Sequence, residues 1–417
     1  MRRPLAIALV AATLVGGVVL GMAAGVLLRP AGPDTAVGAT ASPGESSPGT
    51  QSPTATMPAT PRPTPTRRPT PAPTPTAAPT PTPQPTPVLV AAPLTGMPVP
   101  EAAARRRVIA VMVDDHPDAR PQSGFSDASI VWQAPAEGGV PRYMLLFQEG
   151  EPAAVGPVRS ARRYYIAWAA EWNAMYVHVG GSPDALRILR SADGRGRLVY
   201  DADEFRWGGR YLWRIRERVA PHNVYTDHEA LRALAGRVGA KDGPVQGAWQ
   251  FADEAIVWHR PEGGLIEVPY AYNRVTYRYH RVSNTYLRSV TGETAQEDLE
   301  TGERVAPQNV VVMLMRFAPL RDGTDKQRLE ADVVGSGTAY IATNGFTIKG
   351  TWRKASMTAP TLLFDADGAP VTLTRGQTFV QVVPIGTKLA IRDGKVPPPD
   401  PRPGGAGDVE SRGPIAR

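Results

Sequence analysis

The placement of proline constrains this chain more than any other feature. Of its 417 residues 44 are proline, about twice the usual share, and they crowd before residue 90 and again after residue 396. From Pro33 to Pro87 the sequence is dominated by Pro, Thr, Ala, Ser and Gly, and includes the run PTPTRRPTPAPTPTAAPTPTPQPTP. Such a stretch carries too little apolar side chain to bury a core, and proline biases it toward extended polyproline II. At about 3.1 Å per residue it reaches on the order of 170 Å, a semi-rigid spacer. The reading is a disordered stalk over 30–91 and a disordered tail over 396–417, with the folded part between them. The Thr and Ser content of the stalk permits O-glycosylation.

Ahead of the stalk, Leu5 to Leu28 is uncharged and mostly apolar. As a helix at about 1.5 Å per residue it measures roughly 36 Å, enough to span a hydrocarbon core of about 30 Å. Arg2 and Arg3 precede it and a charge-poor segment follows, which sets the N-terminus in the cytoplasm and the remainder outside. A cleaved signal peptide is the alternative, but its apolar region normally runs only about 7–15 residues. The expectation is a signal-anchor over 1–29 and a single-pass protein of the cell membrane, with its C-terminal module extracytoplasmic.

The formal charge of +7 belongs largely to the segment before the fold. Arg2, Arg3, Arg29, Arg62, Arg67 and Arg68 face only Asp34 and Glu45 in residues 1–90. The remainder is nearly neutral, without the basic run of a nucleic-acid binder. The absence of cysteine rules out disulfides, thiol nucleophiles, cysteine-ligated metals and a lipid-modified cysteine anchor. No cofactor is expected.

Between the tails the pattern divides. Over 92–245, apolar runs at Val108–Val113, Ile130–Trp132, Tyr143–Phe147 and Met175–Val179 read as strands. Helical segments are expected after Ser160 as an N-cap, after Ser182-Pro183-Asp184, and from a Thr226/Glu229 capping box. This is an α/β or α+β domain. Over 246–395 the reading is mainly β: Asn273–His280 alternates, Asn309–Met315 is a central strand, and Asn344-Gly345 joins Thr338–Thr343 to Phe346–Lys349 as a type I′ hairpin. Strands at this spacing predict a small sandwich or barrel.

These segments also resemble a known family. Pro121-Gln122-Ser123-Gly124-Phe125-Ser126-Asp127-Ala128, Ala136-Glu137-Gly138-Gly139, Gly156-Pro157-Val158-Arg159-Ser160-Ala161-Arg162 and Ala220-Pro221-His222-Asn223-Val224-Tyr225 look like the N-terminal signature of the YerB-like family. Gln308–Val312, Gly335–Ala339, Gly350–Lys354 and Gly376–Thr378 resemble its C-terminal half. The resemblance implies a bacterial envelope protein, often a lipoprotein, of two domains of unknown function, and it supplies no reaction. Here the lipoprotein cysteine gives way to the peptide anchor. Gln133 stands where relatives tend to have an acidic residue, and Pro141-Arg142 where they tend to have Thr-Arg.

Several constellations could carry chemistry. Arg159, Arg162 and Arg163 with Ser160 lie at a loop-to-helix junction, where backbone N–H groups and guanidinium forks favour an anion. The competing reading pairs one arginine with a carboxylate such as Glu137 and leaves the others on a solvated helix face. His178 with Gly180 and Gly181 reads as strand, glycine turn, helix, a place where ligands gather in open α/β sheets and also an ordinary tight connection. His222 and Asn223 offer a general base with an orienting amide. His222, Asp227 and His228 offer a metal set, but a structural turn explains them as well and no metal is assigned. Asp114-Asp115-His116 ends the first strand and joins the site if that end faces a cleft. Trp352, Tyr340 and Phe346 form either a sugar-binding face or part of the core.

The leading expectation is a tethered module that binds an anionic envelope component such as a cell-wall polymer. The alternatives are an envelope hydrolase or transferase using His178, His222 or Asp114, and a scaffold for an envelope protein complex.

Overall fold

In the computed structural model the described residues are 88–191, 197–291, 294–323 and 325–397. The expected anchor over 1–29, the stalk as far as residue 87 and most of the C-terminal tail lie outside them. Among the described residues no helix is long and apolar enough to cross a membrane. The last residues assigned to the stalk are not stalk: Leu89–Ala91 pair antiparallel with Pro98–Pro100. The chain divides into two units, Met1–Pro81 and Thr82–Arg417, and every described residue belongs to the second.

In chain order the principal strands are β1 Ile109–Asp114, β2 Ile130–Pro135, β3 Pro141–Phe147, β4 Met175–His178 and β5 Tyr200–Asp203. Then come β6 Glu262–Pro269, β7 Arg274–His280, β8 Thr285–Val290, β9 Thr294–Ala295 and β10 Asn309–Met315. The last are β11 Gly335–Thr343, β12 Phe346–Lys354, β13 Leu362–Phe364, β14 Thr378–Pro384 and β15 Ala390–Lys395. The principal helices are α1 Arg163–Ala170, α2 Pro183–Arg190 and α3 His228–Arg237.

A ten-stranded sheet in the order β13-β12-β11-β10-β14-β2-β3-β1-β4-β5 runs through both halves of the sequence. Its seam is the parallel pair β14/β2, in the register Thr378↔Ile130 to Gln381↔Gln133. The strands expected to close a separate sandwich or barrel over 246–395 divide instead. One group extends this sheet, and β9-β8-β7-β6-β15 make a second, five-stranded one.

The continuous apolar runs are explained by burial of both faces. Ala110 and Met112 of β1, Met144 and Leu146 of β3, and Val311 and Met313 of β10 pack with α1 on one face. Their neighbours Val111, Val113, Tyr143, Leu145, Val310 and Val312 pack with Ile266, Val268, Val275 and Tyr277 of the second sheet on the other. α1 is buried at every position from Tyr164 to Ala170, as a helix covered all round must be. Trp168 stacks on Trp132 with centroids 4.6 Å apart.

Two expected caps are displaced. α1 begins at Arg163 with Arg162 at the N-cap, so Ser160 belongs to the loop before it. At α3 the cap is Asp227, whose Oδ1 accepts from the Ala230 N–H at 2.8 Å, while Thr226 donates to the Tyr211 carbonyl. An aspartate one residue closer to the helix takes the role. The hairpin is as expected: Asn344 and Gly345 have φ of 50° and 81°. A Cβ at Gly345 would sit 2.4 Å from Cε1 of Tyr279, so the position also needs glycine for space.

Candidate functional site

The carboxyl ends of β1 and β4 are crossed by the segment Val155–Ala161. Val158 bridges to Val113, the Arg159 N–H donates to the Met112 carbonyl at 2.8 Å, and Ala161 bridges to Gly181. This crossing sets Arg159 over the end of β1. Its Nε lies 2.7 Å from Oδ2 of Asp114. The same carboxylate oxygen accepts from Nδ1–H of His222 at 2.7 Å, and the His116 N–H donates to Oδ1 at 3.1 Å. Three candidates distant in sequence, Asp114, Arg159 and His222, therefore meet. Burial opposes charge on Asp114, but Arg142, Arg159 and the His222 hydrogen bond outweigh it and hold its pKa below the ordinary carboxylate range.

His222 is further ordered by stacking on His116, with centroids 4.8 Å apart and planes at 20°. Asn223 does not orient it. That amide accepts from Nη1 of Arg214 at 3.1 Å and donates to the Ile215 carbonyl, a structural pairing within the turn.

The other arginines do not join Arg159. Arg162 and Arg142 both pair with Glu137, Arg142 at 2.8 Å, and Arg328 from the second half approaches the same carboxylate at 3.4 Å. Burial resists ionisation of Glu137, yet Arg142 and Arg162 overcome it and bring its pKa down to about 2. Arg142 also faces Asp114 across the β1/β3 register, so it links the two clusters. Nε and Nη1 of Arg142 are buried with no hydrogen-bond partner among the described residues. Arg163 pairs on the surface with Glu330. The expected Arg159/Ser160/Arg162/Arg163 anion cluster is thus replaced by three separate ion pairs, because residues 159–162 form an extended segment that sends successive side chains in different directions and Arg163 already opens α1. Ser160 is half-buried in that loop.

His178 is fully buried. Both ring nitrogens face oxygen acceptors at 2.7 Å, Nδ1 the Gly180 carbonyl and Nε2 the Asp201 carboxylate. Neither nitrogen is left for a substrate, so His178 is removed as a catalytic base. Gly180 takes the positive φ of 56° and donates to Oδ1 of Asp203 at 2.9 Å, a tight connection. Gly181 lines an open depression of about 580 Å³ with Pro183, Leu186, Arg187, Arg190, Ser191 and Arg328. Among the described residues its lining brings three guanidinium groups and no carboxylate, although Arg190 reaches Asp203 at 3.4 Å and Arg328 also pairs with Asp322.

Sequence reasoning passed over Arg187, Arg190 and Arg328 as ligand groups. The first two looked like an ordinary C-terminal helix turn, and Arg328 comes from a loop of the other half, for which no local signal exists. The aromatic trio does not form one face: Trp352 is 2% exposed in the helix-side core, whereas Tyr340 packs on the opposite face of the sheet.

Gln133 acquires a physical reason. Its Nε2 donates to Asp115 at 2.7 Å, and its Oε1 accepts from the fully buried Arg288 at 2.6 Å. Tyr143 and Tyr277 also accept from Arg288. An amide satisfies a carboxylate and a guanidinium at once, and this network joins the two sheets.

Family models described as the N-terminal and C-terminal domains of a protein of unknown function (DUF3048) match residues 94–241 and 266–380. The chain belongs to this family. It is 33% identical over 315 residues to a Bacillus subtilis (strain 168) protein named "Putative lipoprotein YerB", covering 73% of this chain and 89% of that one. The crystal structure of the YerB protein from Bacillus subtilis matches with a TM-score of 0.65 at 29% identity, covering 73% of this chain and all of the other. The YerB-like resemblance read from the motifs is therefore shown, and the matched regions span both halves of the ten-stranded sheet.

Proposed function

We propose that this chain is a membrane-tethered extracytoplasmic module that binds an anionic component of the cell envelope in the arginine-lined depression beside α2. The observation that carries the reading is the lining of that depression, with Arg187, Arg190 and Arg328 around roughly 580 Å³ of open space and no acidic residue among the described residues of the wall. Guanidinium forks suit phosphate and carboxylate groups. The name of the Bacillus subtilis relative as a lipoprotein and the apolar segment Leu5–Leu28 behind two arginines both support placement outside the cytoplasmic membrane.

A second reading has its own observation. A histidine whose Nδ1 is held by a buried carboxylate at 2.7 Å, with an arginine on the same carboxylate, is the arrangement of an oriented general base. It favours an envelope hydrolase or transferase acting on glycan or phosphodiester bonds through His222. One experiment separates the two: incubation of the purified chain with isolated cell-wall fractions, followed by mass spectrometry of what is released. Retention on the wall with no new fragments is the expected result. Release of fragments that ceases in His222→Gln would favour the enzyme, and absence of both retention and fragments would refute both readings.

A further inference from the structure

We propose that His116, Asp118 and His222 form a binding site for a divalent transition-metal ion of the zinc class. One ligand atom from each of the three lies within 4.8 Å of the others. Nδ1 of His116 is 3.5 Å from Oδ2 of Asp118, close to the separation of about 3.3 Å between two ligand atoms that share a tetrahedral ion at roughly 2.0 Å. That nitrogen accepts the Asp118 N–H at 3.3 Å, so it carries a lone pair that a metal can take instead. Asp114 holds Nδ1 of His222 at 2.7 Å, which leaves the second ring nitrogen as the one His222 can offer. A carboxylate behind a ligating imidazole fixes its orientation and raises its basicity.

The site is organised by bonds that do not use its ligand atoms. Arg218, four residues before His222, donates to the Asp118 carbonyl at 3.3 Å and to the Pro121 carbonyl at 2.6 Å. This clamp ties the two ligand-bearing segments together. Arg120 then ties the first of them to Asp115 at 2.8 Å. The nearby positive charge of Arg159 is matched by Asp114, so the carboxylate of Asp118 remains to offset an incoming cation. Two imidazoles and one carboxylate suit zinc, nickel or cobalt better than magnesium or calcium, and three protein ligands leave a fourth position for water. The inference does not depend on the anion-binding reading, since none of these residues lines the arginine depression.

The test uses the full chain purified in detergent, stripped with chelator and titrated with zinc chloride by calorimetry. The expected result is one ion per chain, with affinity lowered at least a hundredfold in His116→Gln and in Asp118→Asn. Both side chains are in contact with solvent, and circular dichroism of the variants checks the fold. Asp114→Asn, which keeps all three ligands, is expected to weaken binding about ten- to a hundredfold. X-ray absorption at the zinc edge should find two imidazole nitrogens. Absence of stoichiometric uptake by the wild type, equal uptake by His116→Gln, or a preference for magnesium over zinc would each overturn the proposal.

Discussion

Replacing Glu137 with glutamine tests the electrostatic linkage that ties the two halves of the chain together. Glu137 receives Arg142 and Arg162 from the first half and Arg328 from the second, and its pKa falls from 4.5 to about 2. A shift of that size corresponds to about 3–4 kcal/mol at roughly 1.4 kcal/mol per unit. Solvent reaches 24% of the side chain, and its screening reduces the contribution to about 2 kcal/mol. Because the folded-state pKa is depressed, this stability is fully present above the unfolded value and is lost as pH falls from about 4.5 toward 2.

At neutral pH, Glu137→Gln also leaves Arg142 and Arg162 buried without their carboxylate, a loss of about 3–5 kcal/mol. Urea unfolding of wild type and variant, followed by tryptophan fluorescence between about pH 6 and pH 2.5, should show the stability gap narrowing by about 2 kcal/mol on acidification. A gap of constant size across that range would refute the reasoning, since the carboxylate would then contribute nothing that depends on its charge.

Two further outcomes follow from the core. Lys354 and Glu171 pair at 2.9 Å with side chains almost wholly buried, so Lys354→Met should cost about 3–5 kcal/mol in chemical denaturation by stranding the carboxylate, and adding Glu171→Gln should recover much of it. Trp352, 2% exposed and donating to the Leu314 carbonyl at 3.0 Å, should lose about 3–5 kcal/mol on conversion to alanine. The folded fraction of that variant, measured by cell-wall retention, should bind as the wild type does.

The strands were the most legible part of the sequence, and for a definite reason. Asn309–Met315 and Tyr143–Phe147 are apolar runs because both faces of a central strand are buried, and no helical stripe competes with that pattern. Asn344-Gly345 was readable because a two-residue turn with positive φ leaves few choices of residue. Sheet membership was not readable. Whether Thr378–Pro384 closes a local barrel or lies beside Ile130–Pro135 is decided by contacts between residues about 250 positions apart, and alternation within either strand is the same in both cases.

The candidate site was legible residue by residue but not as a set. Asp114 and His222 each stood out as polar groups at an element end, while their meeting depends on how the turn at Pro221 folds back over β1. Ser160 misled because a serine before a helical stripe is a common cap, whereas the extended segment through Arg162 delays the helix. His178 misled in the opposite way. A histidine at a strand end before two glycines resembles a ligand site, but Asp201 and Gly180 occupy both its nitrogens, and Asp201 lies on a neighbouring strand that no local pattern could reveal.

Recognition of an anionic envelope component by the arginine depression rests on Arg187 and Arg190 of α2 and on Arg328. The most direct measurement is co-sedimentation of the purified chain with isolated cell walls over a series of salt concentrations, comparing wild type with the Arg187→Ala/Arg190→Ala double variant. Charge-assisted contacts of about 1.5–3 kcal/mol each predict at least a tenfold loss of retention in the variant at low salt, and a wild-type retention that falls as salt rises. Equal retention of both proteins at every salt concentration would contradict the account.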